Sequence, residues 1–66
     1  MIKELDLVIA ITDINEEILS GTIGVVLSIS NDNLSYLVEF VDENNITIGD
    51  EVIMVNEHQV RLFKVV

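Results

Sequence analysis

The sequence predicts a single all-β domain, residues 1–66, built as a small antiparallel barrel of five short strands. Half of the 66 residues are hydrophobic. Most of these are Leu or β-branched residues in short segments, which favours strands over helices. Gly, Asn and Asp separate the segments, as turns require. A chain of this length forms one domain with a small core, since it buries only about 60% of its unfolded surface.

The first half of the chain is predicted to contain two strands joined by a long loop. Leu5–Ile11 is apolar on both faces, so this strand should be central or covered on both sides. Thr12–Ser20 is predicted as a loop that turns its Ile and Leu side chains toward the body. The second strand is Thr22–Ser30, in which Gly24 indicates a bulge or a close approach of two backbones.

The second half is predicted to begin with two hairpins. Asn31–Asn33 should turn the chain into the third strand, Leu34–Val41, because these residues tolerate left-handed backbone angles. Asp42–Asn45 should form the next turn, before the fourth strand, Ile46–Val55. Gly49-Asp50 in the middle of that strand indicates a kink or a bulge.

The last strand is predicted at Val60–Val66. It follows a polar interruption, Asn56–Gln59, that suits a single 3-10 turn. A long first loop, two tight hairpins and a one-turn break before a short last strand is the order of an SH3-like barrel. An OB-fold is the alternative, but it normally needs more residues and a helix between its third and fourth strands.

One face of the third strand must point outward. The set that carries the aromatic residues is expected inside: Tyr36, Val38 and Phe40. Leu37 and Val41 then point outward with Glu39 between them, and Phe63 is expected in the core with Phe40. Outward apolar residues rimmed by carboxylates would form a protein-binding surface.

Several segments resemble a family of small bacterial domains of unknown function. The similar segments are Gly21–Ile29 (GTIGVVLSI), Tyr36–Asp42 (YLVEFVD), the pair Thr47–Ile48, and Gln59–Leu62. Members of that family read as a D-x-V strand, a G-x-x-G-T-V-V strand, a Y-x-V-E-F strand and a short final strand. The resemblance implies an SH3-like barrel and a stand-alone protein, but no activity and no catalytic residues. The chain departs from the family pattern at Asn44-Asn45, where a glycine-bearing turn is usual, and in the extra apolar residues of Ile46–Val55.

Charge and composition exclude several function classes. The chain has twelve acidic residues and three basic ones, Lys3, Arg61 and Lys64, which gives a formal net charge of -9. Nucleic-acid binding depends on neutralising phosphates, so no direct contact with DNA or RNA is expected. The chain has no cysteine, which favours the cytoplasm. Its N-terminus does not resemble a signal peptide, and no apolar run approaches the roughly 20 residues of a membrane span.

No catalytic, cofactor or metal motif stands out in the sequence. His58 lies beside Glu57 in a polar turn and reads as an ordinary exposed residue. Gly21-x-x-Gly24 lacks the lysine and the helix of a phosphate loop. The carboxylate pairs lack the glycine and the distal glutamate of a calcium loop. We therefore expect a protein that is not an enzyme and binds no cofactor. An enzyme with a site between subunits that uses His58 is the least favoured hypothesis.

The preferred hypothesis is a non-enzymatic module that binds a basic protein. In its sharpest form it is an immunity or antitoxin-like protein that neutralises a cationic toxin such as a nuclease, with electrostatically steered association. The expected partner-binding residues are Glu16, Glu17, Leu37, Glu39, Val41, Asp42, Glu43, Asp50 and Glu51. The alternative is an accessory SH3-like module that self-associates through an open sheet edge or its apolar strands, with acidity serving solubility. A stable homodimer that buries Leu37 and Val41 would count against the preferred hypothesis.

Overall fold

Five antiparallel strands form one sheet in the computed structural model, which describes residues 1–65 apart from the side chain of Asp50. The strands are β1 (Leu7–Ala10), β2 (Ile23–Ile29), β3 (Ser35–Val41), β4 (Ile53–Asn56) and β5 (Val60–Lys64). Their order across the sheet is β4-β3-β2-β1-β5. A short 3-10 turn, Ile48–Asp50, precedes β4, and no α-helix occurs in the described residues. The prediction of an all-β chain with five antiparallel strands is confirmed.

The two edge strands of the sheet are neighbours along the chain. Only residues 57–59 separate β4 from β5, although these strands lie at opposite edges. The sheet must therefore coil strongly, so that its two edges approach each other at this turn. Within the described residues β4 and β5 form no ladder with each other, so each strand keeps one open edge.

The core occupies the inner side of the coiled sheet. Its buried apolar residues are Val8, Ala10, Ile18, Val26, Tyr36, Val38, Phe40, Val55 and Val60. Along β3 the side chains alternate as predicted, with the aromatic set buried and the set of Leu37, Glu39 and Val41 half-buried on the outer side. The predicted inward face of the third strand is thus confirmed.

The expectation that Phe63 belongs to the core is wrong, since its side chain is 52% exposed. Val8 pairs with Leu62, but the preceding Leu7 pairs with Lys64. Phe63 is therefore the extra residue of a β-bulge, which breaks the alternation of β5 and leaves this ring at the surface. Val66, predicted as the end of this strand, lies outside the described residues.

Gly24 allows β2 and β3 to pack tightly. A Cβ atom at this position would lie 2.5 Å from Val38 Cγ1 and 2.9 Å from Phe40 Cδ1. The predicted close approach is thus present. The bulge of β2 lies further along, because Val26 pairs with Val38 whereas Ser28 pairs with Leu37. The extra residue is Leu27, and the bulge bends the strand there.

The 3-10 turn lies one strand earlier than predicted. Residues 56–59, where it was expected, form a β-turn in which Gln59 N donates to Asn56 O at 3.0 Å. Asn56 Oδ1 also accepts a hydrogen bond from His58 N at 2.8 Å. This side-chain hydrogen bond stabilises the β-turn, and no helical turn forms there. The 3-10 turn forms instead at Gly49, whose φ of 78° ends the pairing that Thr47 makes with Val41. Gly49 is therefore the kink that the sequence indicated, and it divides the predicted fourth strand.

Candidate protein-binding surface

Three segments that are distant in sequence meet around Ile48. One shallow groove is lined by Asn15, Glu17, Ile18, Ile48, Gly49, Glu51 and Ile53. A second groove is lined by Gly21, Thr22, Ile23, Val41, Asp42, Glu43 and Ile48. Because Ile48 lines both grooves, the loop after β1, the β3–β4 turn and the 3-10 turn form one continuous surface. We call this surface, with Glu17, Asp42, Glu43 and Glu51 around Ile48, the acidic end.

The acidic end brings together most of the predicted partner-binding residues. Val41 lines the second groove with Asp42 and Glu43. Glu16 is exposed in the same loop as Glu17 but lines neither groove. The side chain of Asp50 lies outside the described part of the chain.

Two of the predicted residues lie away from this surface. Leu37 pairs with Met54 of β4 and with Ser28 of β2, toward the other end of β3. Glu39 lies between Leu37 and Val41 on the outer face of the sheet, where its carboxylate accepts a hydrogen bond from the Thr47 hydroxyl. Leu37 and Glu39 line neither groove, so neither belongs to the acidic end.

Aspartate and glutamate have different roles at the acidic end. Asp42 Oδ1 accepts hydrogen bonds from Asn44 N at 2.8 Å and from Ile46 N at 3.0 Å. The short Asp42 side chain therefore stabilises the β3–β4 turn through hydrogen bonds with backbone amides of that turn. The longer side chains of Glu17, Glu43 and Glu51 make no hydrogen bond within the described residues, so their carboxylates are available to a partner.

No lysine or arginine neutralises these carboxylates within the described residues. The one contact there between a basic side chain and a carboxylate joins His58 Nε2 to Glu57 Oε1 at 3.5 Å, in the β4–β5 turn. Arg61 and Lys64 lie on β5, separated from β3 by two strands of the sheet. The negative charge of the acidic end is therefore uncompensated locally and attracts cations from solution.

Two isoleucines, Ile48 and Ile53, form the apolar floor of the acidic end, which was not anticipated from the sequence. Ile48 and Ile53 are half-buried and pack against the core. Both residues were predicted within the fourth strand, Ile46–Val55, where nothing distinguishes them from the other apolar residues of that strand. The kink predicted at Gly49 separates them in the structure, because its φ of 78° turns the chain and lets Ile48 pack beside the loop after β1.

The described residues form neither a metal-ligand cluster nor a membrane-spanning helix. Apart from Asp50, whose side chain is not described, no three His, Asp or Glu side chains of residues 1–65 are grouped as metal ligands would be. None of the helical structure in this part has the length and apolarity of a membrane span. Asp6 is buried, with 3% of its surface exposed, and its Oδ2 accepts from Lys3 N at 3.0 Å, so it closes the N-terminal turn.

Comparison with known protein families, curated proteins and solved structures finds no match to this chain. The resemblance to small bacterial SH3-like domains therefore stays a prediction.

Proposed function

We propose that this chain is a non-enzymatic module that binds a basic protein through its acidic end. The observation that supports the proposal is the group of free carboxylates, Glu17, Glu43 and Glu51, around Ile48 of the apolar floor, with no cation of the described residues paired to them. In this proposal the coiled five-stranded sheet is an SH3-like barrel. Its strand order and the short β4–β5 turn support that assignment.

The surface suits lysine and arginine side chains of a partner. These side chains have apolar stems and charged heads, so a stem can pack on Ile48 and Ile53 while the head meets a carboxylate. Glutamates held around a shallow apolar groove thus offer both contacts at once. A nucleic acid would instead be repelled, because its phosphates carry the same charge as this surface.

The sharpest form of the proposal is an immunity or antitoxin-like protein that blocks a cationic toxin. A nuclease presents positive potential where it takes phosphate, and an acidic surface of matching size can cover that region. Opposite potentials raise the association rate and select against acidic proteins. Such a role requires no catalytic group on this chain.

The test begins with capture of proteins from a lysate of the native host on the immobilised chain, at low and at high salt. We expect a basic protein that is retained at low salt and released at high salt, since the exposed carboxylates are screened. An acidic partner, or one whose retention does not change with salt, would contradict the proposal.

The captured protein is then purified and titrated with a triple variant, Glu17→Gln, Glu43→Gln and Glu51→Gln. Loss of three charge contacts should weaken binding by at least about tenfold, mainly through slower association. The matched control is the variant Glu4→Gln, Glu16→Gln and Glu57→Gln, which removes the same charge from residues that line neither groove. Equal losses in both variants would show that net charge, rather than the acidic end, governs binding.

A further inference from the structure

The outer face of the sheet is almost as apolar as the inner one. Its central residues on β1, β2 and β3 are Leu7, Ile9, Ile23, Val25, Leu37, Glu39 and Val41, all half-buried. Glu39 is the one charged residue among them. All described strands belong to a single sheet, so no second sheet lies against this face. An uncovered apolar face of this kind is typical of an interaction surface.

One cross-strand row of this face has opposite charges at its two ends. Lys64 pairs with Leu7, Leu7 pairs with Val25, and Val25 pairs with Glu39. Three strand spacings of about 4.8 Å separate the ends of the row by roughly 14 Å, too far for an ion pair within one chain. The row is thus self-complementary, because its cation and its anion lie at equal distances from its apolar middle.

We propose that this face binds a second copy of the chain. The two-fold axis would run parallel to the strands, midway between β1 and β2, with one sheet on each side of it. This axis packs Leu7 of one copy on Val25 of the other, and it places Lys64 of each copy against Glu39 of the other. Two aliphatic contacts then form the centre and two ion pairs form the rim, the usual arrangement of a dimer interface.

The neighbouring row fits the same arrangement. Arg61 pairs with Ile9, Ile9 pairs with Ile23, and Ile23 pairs with Val41. The same axis brings Arg61 of one copy to Val41 of the other, next to the acidic β3–β4 turn. Both cations of β5 thus face acidic regions across the interface. Phe63, half-exposed at its bulge beside Lys64, adds an aromatic ring at the rim.

The coil of the sheet limits the size of this interface. A coiled sheet is convex on its outer side, so the copies meet closely at β1 and β2, and the long side chains of Lys64 and Glu39 bridge the wider gap at the rim. The whole chain measures only 29 × 22 × 18 Å. We therefore expect a small interface and a dissociation constant in the micromolar range.

The dimer goes beyond the proposed function and does not depend on it. It covers Ile23 and Val41, which line the second groove of the acidic end. A basic partner of the dimer would therefore bind at the first groove, where Glu17, Ile48 and Glu51 stay outside the interface. The dimer leaves Leu37 toward the rim, beside Met54. Failure of either proposal therefore does not decide the other.

The test is sedimentation equilibrium of the full chain at low salt, from low micromolar to millimolar concentration. Glu39→Lys and Lys64→Glu each place like charges against each other, so each should raise the dissociation constant by at least about tenfold. The double variant Glu39→Lys with Lys64→Glu exchanges the two charges and keeps the net charge. It should restore dimerisation to within about threefold of the wild type, because the interaction of a contacting pair appears as non-additivity.

Two controls separate the interface from general effects. Glu4→Lys makes the same change in net charge as Glu39→Lys at a residue that precedes β1 and belongs to no strand, and it should leave the dissociation constant unchanged. Lys64 is exposed, so Lys64→Glu should stay folded, and thermal melting of each variant checks this. A chain that stays monomeric at millimolar concentration would overturn the proposal. A dimer that is indifferent to Lys64→Glu, or a double variant that fails to recover, would also overturn it.

Discussion

The interior of the sheet and its turns are held together by different chemistry. The interior is packed from apolar side chains, and Asp6 is the one buried charged residue among the side chains that the structure describes. The turns depend on short polar side chains that accept backbone N–H groups. Asp13 accepts from Ser20, Asn15 from Ile18, Asp32 from Leu34, Asp42 from Ile46 and Asn56 from His58.

This difference divides the negative charge of the chain into two parts. Aspartates fasten turns, because their carboxylate reaches a backbone amide two to seven residues along the chain. The glutamates of the acidic end make no such bonds within the described residues. Part of the acidity is therefore explained by local structure, and the glutamates are the residues that a partner would use.

The largest effect is expected for a substitution inside the sheet. Phe40→Ala removes a fully buried ring and should lower the free energy of unfolding by about 3–5 kcal/mol, since it loses apolar burial and leaves a cavity. The adjacent Val41→Ala, on the half-buried outer side, should cost about 1 kcal/mol or less. Urea denaturation measures both, and Phe40→Leu serves if Phe40→Ala does not fold. Equal losses at the two positions would show that the two faces are not packed differently.

A second comparison uses two glycines, one in a strand and one in a turn. Gly24→Ala should cost about 2–3 kcal/mol, because the new Cβ would overlap Val38 and Phe40. Gly21→Ala meets no atom within 4 Å, so only its φ of 97° opposes the change, at about 1 kcal/mol. Thermal and urea unfolding should rank them in this order, and the reverse ranking would contradict the close packing of β2 on β3.

The smallest effect is expected in the β2–β3 turn. Hydrogen bonds from the Ser30 hydroxyl and from the Leu34 amide hold the pKa of Asp32 below its ordinary value. A pKa that is lowered by folding contributes stability above the unfolded-state pKa of about 3.9. This contribution is lost as the pH falls through the lower pKa of the folded state.

An NMR titration of the Asp32 carboxyl measures this shift directly. Ser30→Ala should raise the pKa of Asp32 toward its ordinary value, because it removes the largest cause of the shift. The variant should be less stable than the wild type at neutral pH, and the difference should shrink in acid. A pKa of Asp32 that does not move in Ser30→Ala would show that the hydroxyl does not stabilise the carboxylate.

Much of the fold could be predicted because its signals are local. The alternation of β3 assigned Tyr36 and Phe40 to the core, and Asn31–Asn33 marked a hairpin turn in which Asn33 indeed has φ of 61°. Leu5, by contrast, was expected in the first strand but has φ of 71° and lies outside β1. Its amide bonds to Val26 O of a distant strand, a contact that no local pattern reports.

The candidate site was predictable in its charges but not in its shape. The carboxylates of Glu17, Glu43 and Glu51 are visible in the sequence, whereas their assembly around Ile48 depends on a loop, a turn and a kink that fold to one place. Leu37 and Glu39 were grouped with them because they neighbour Val41 along one strand. In the structure Leu37 and Glu39 lie further back along β3, outside both grooves.

The strand character, the positions of the hairpin turns and the inward face of β3 are local properties of the sequence. These features follow from side-chain branching, from polar groups that bond to nearby backbone, and from the two-residue period of a strand. The register between strands and the meeting of the loops arise only when the chain folds. Both depend on pairing between residues far apart in the chain. The pairing register of β1 with β5 shifts between Leu7 and Val8, and this shift leaves Phe63 at the surface. The coil of the sheet brings its two edge strands, β4 and β5, together at one turn.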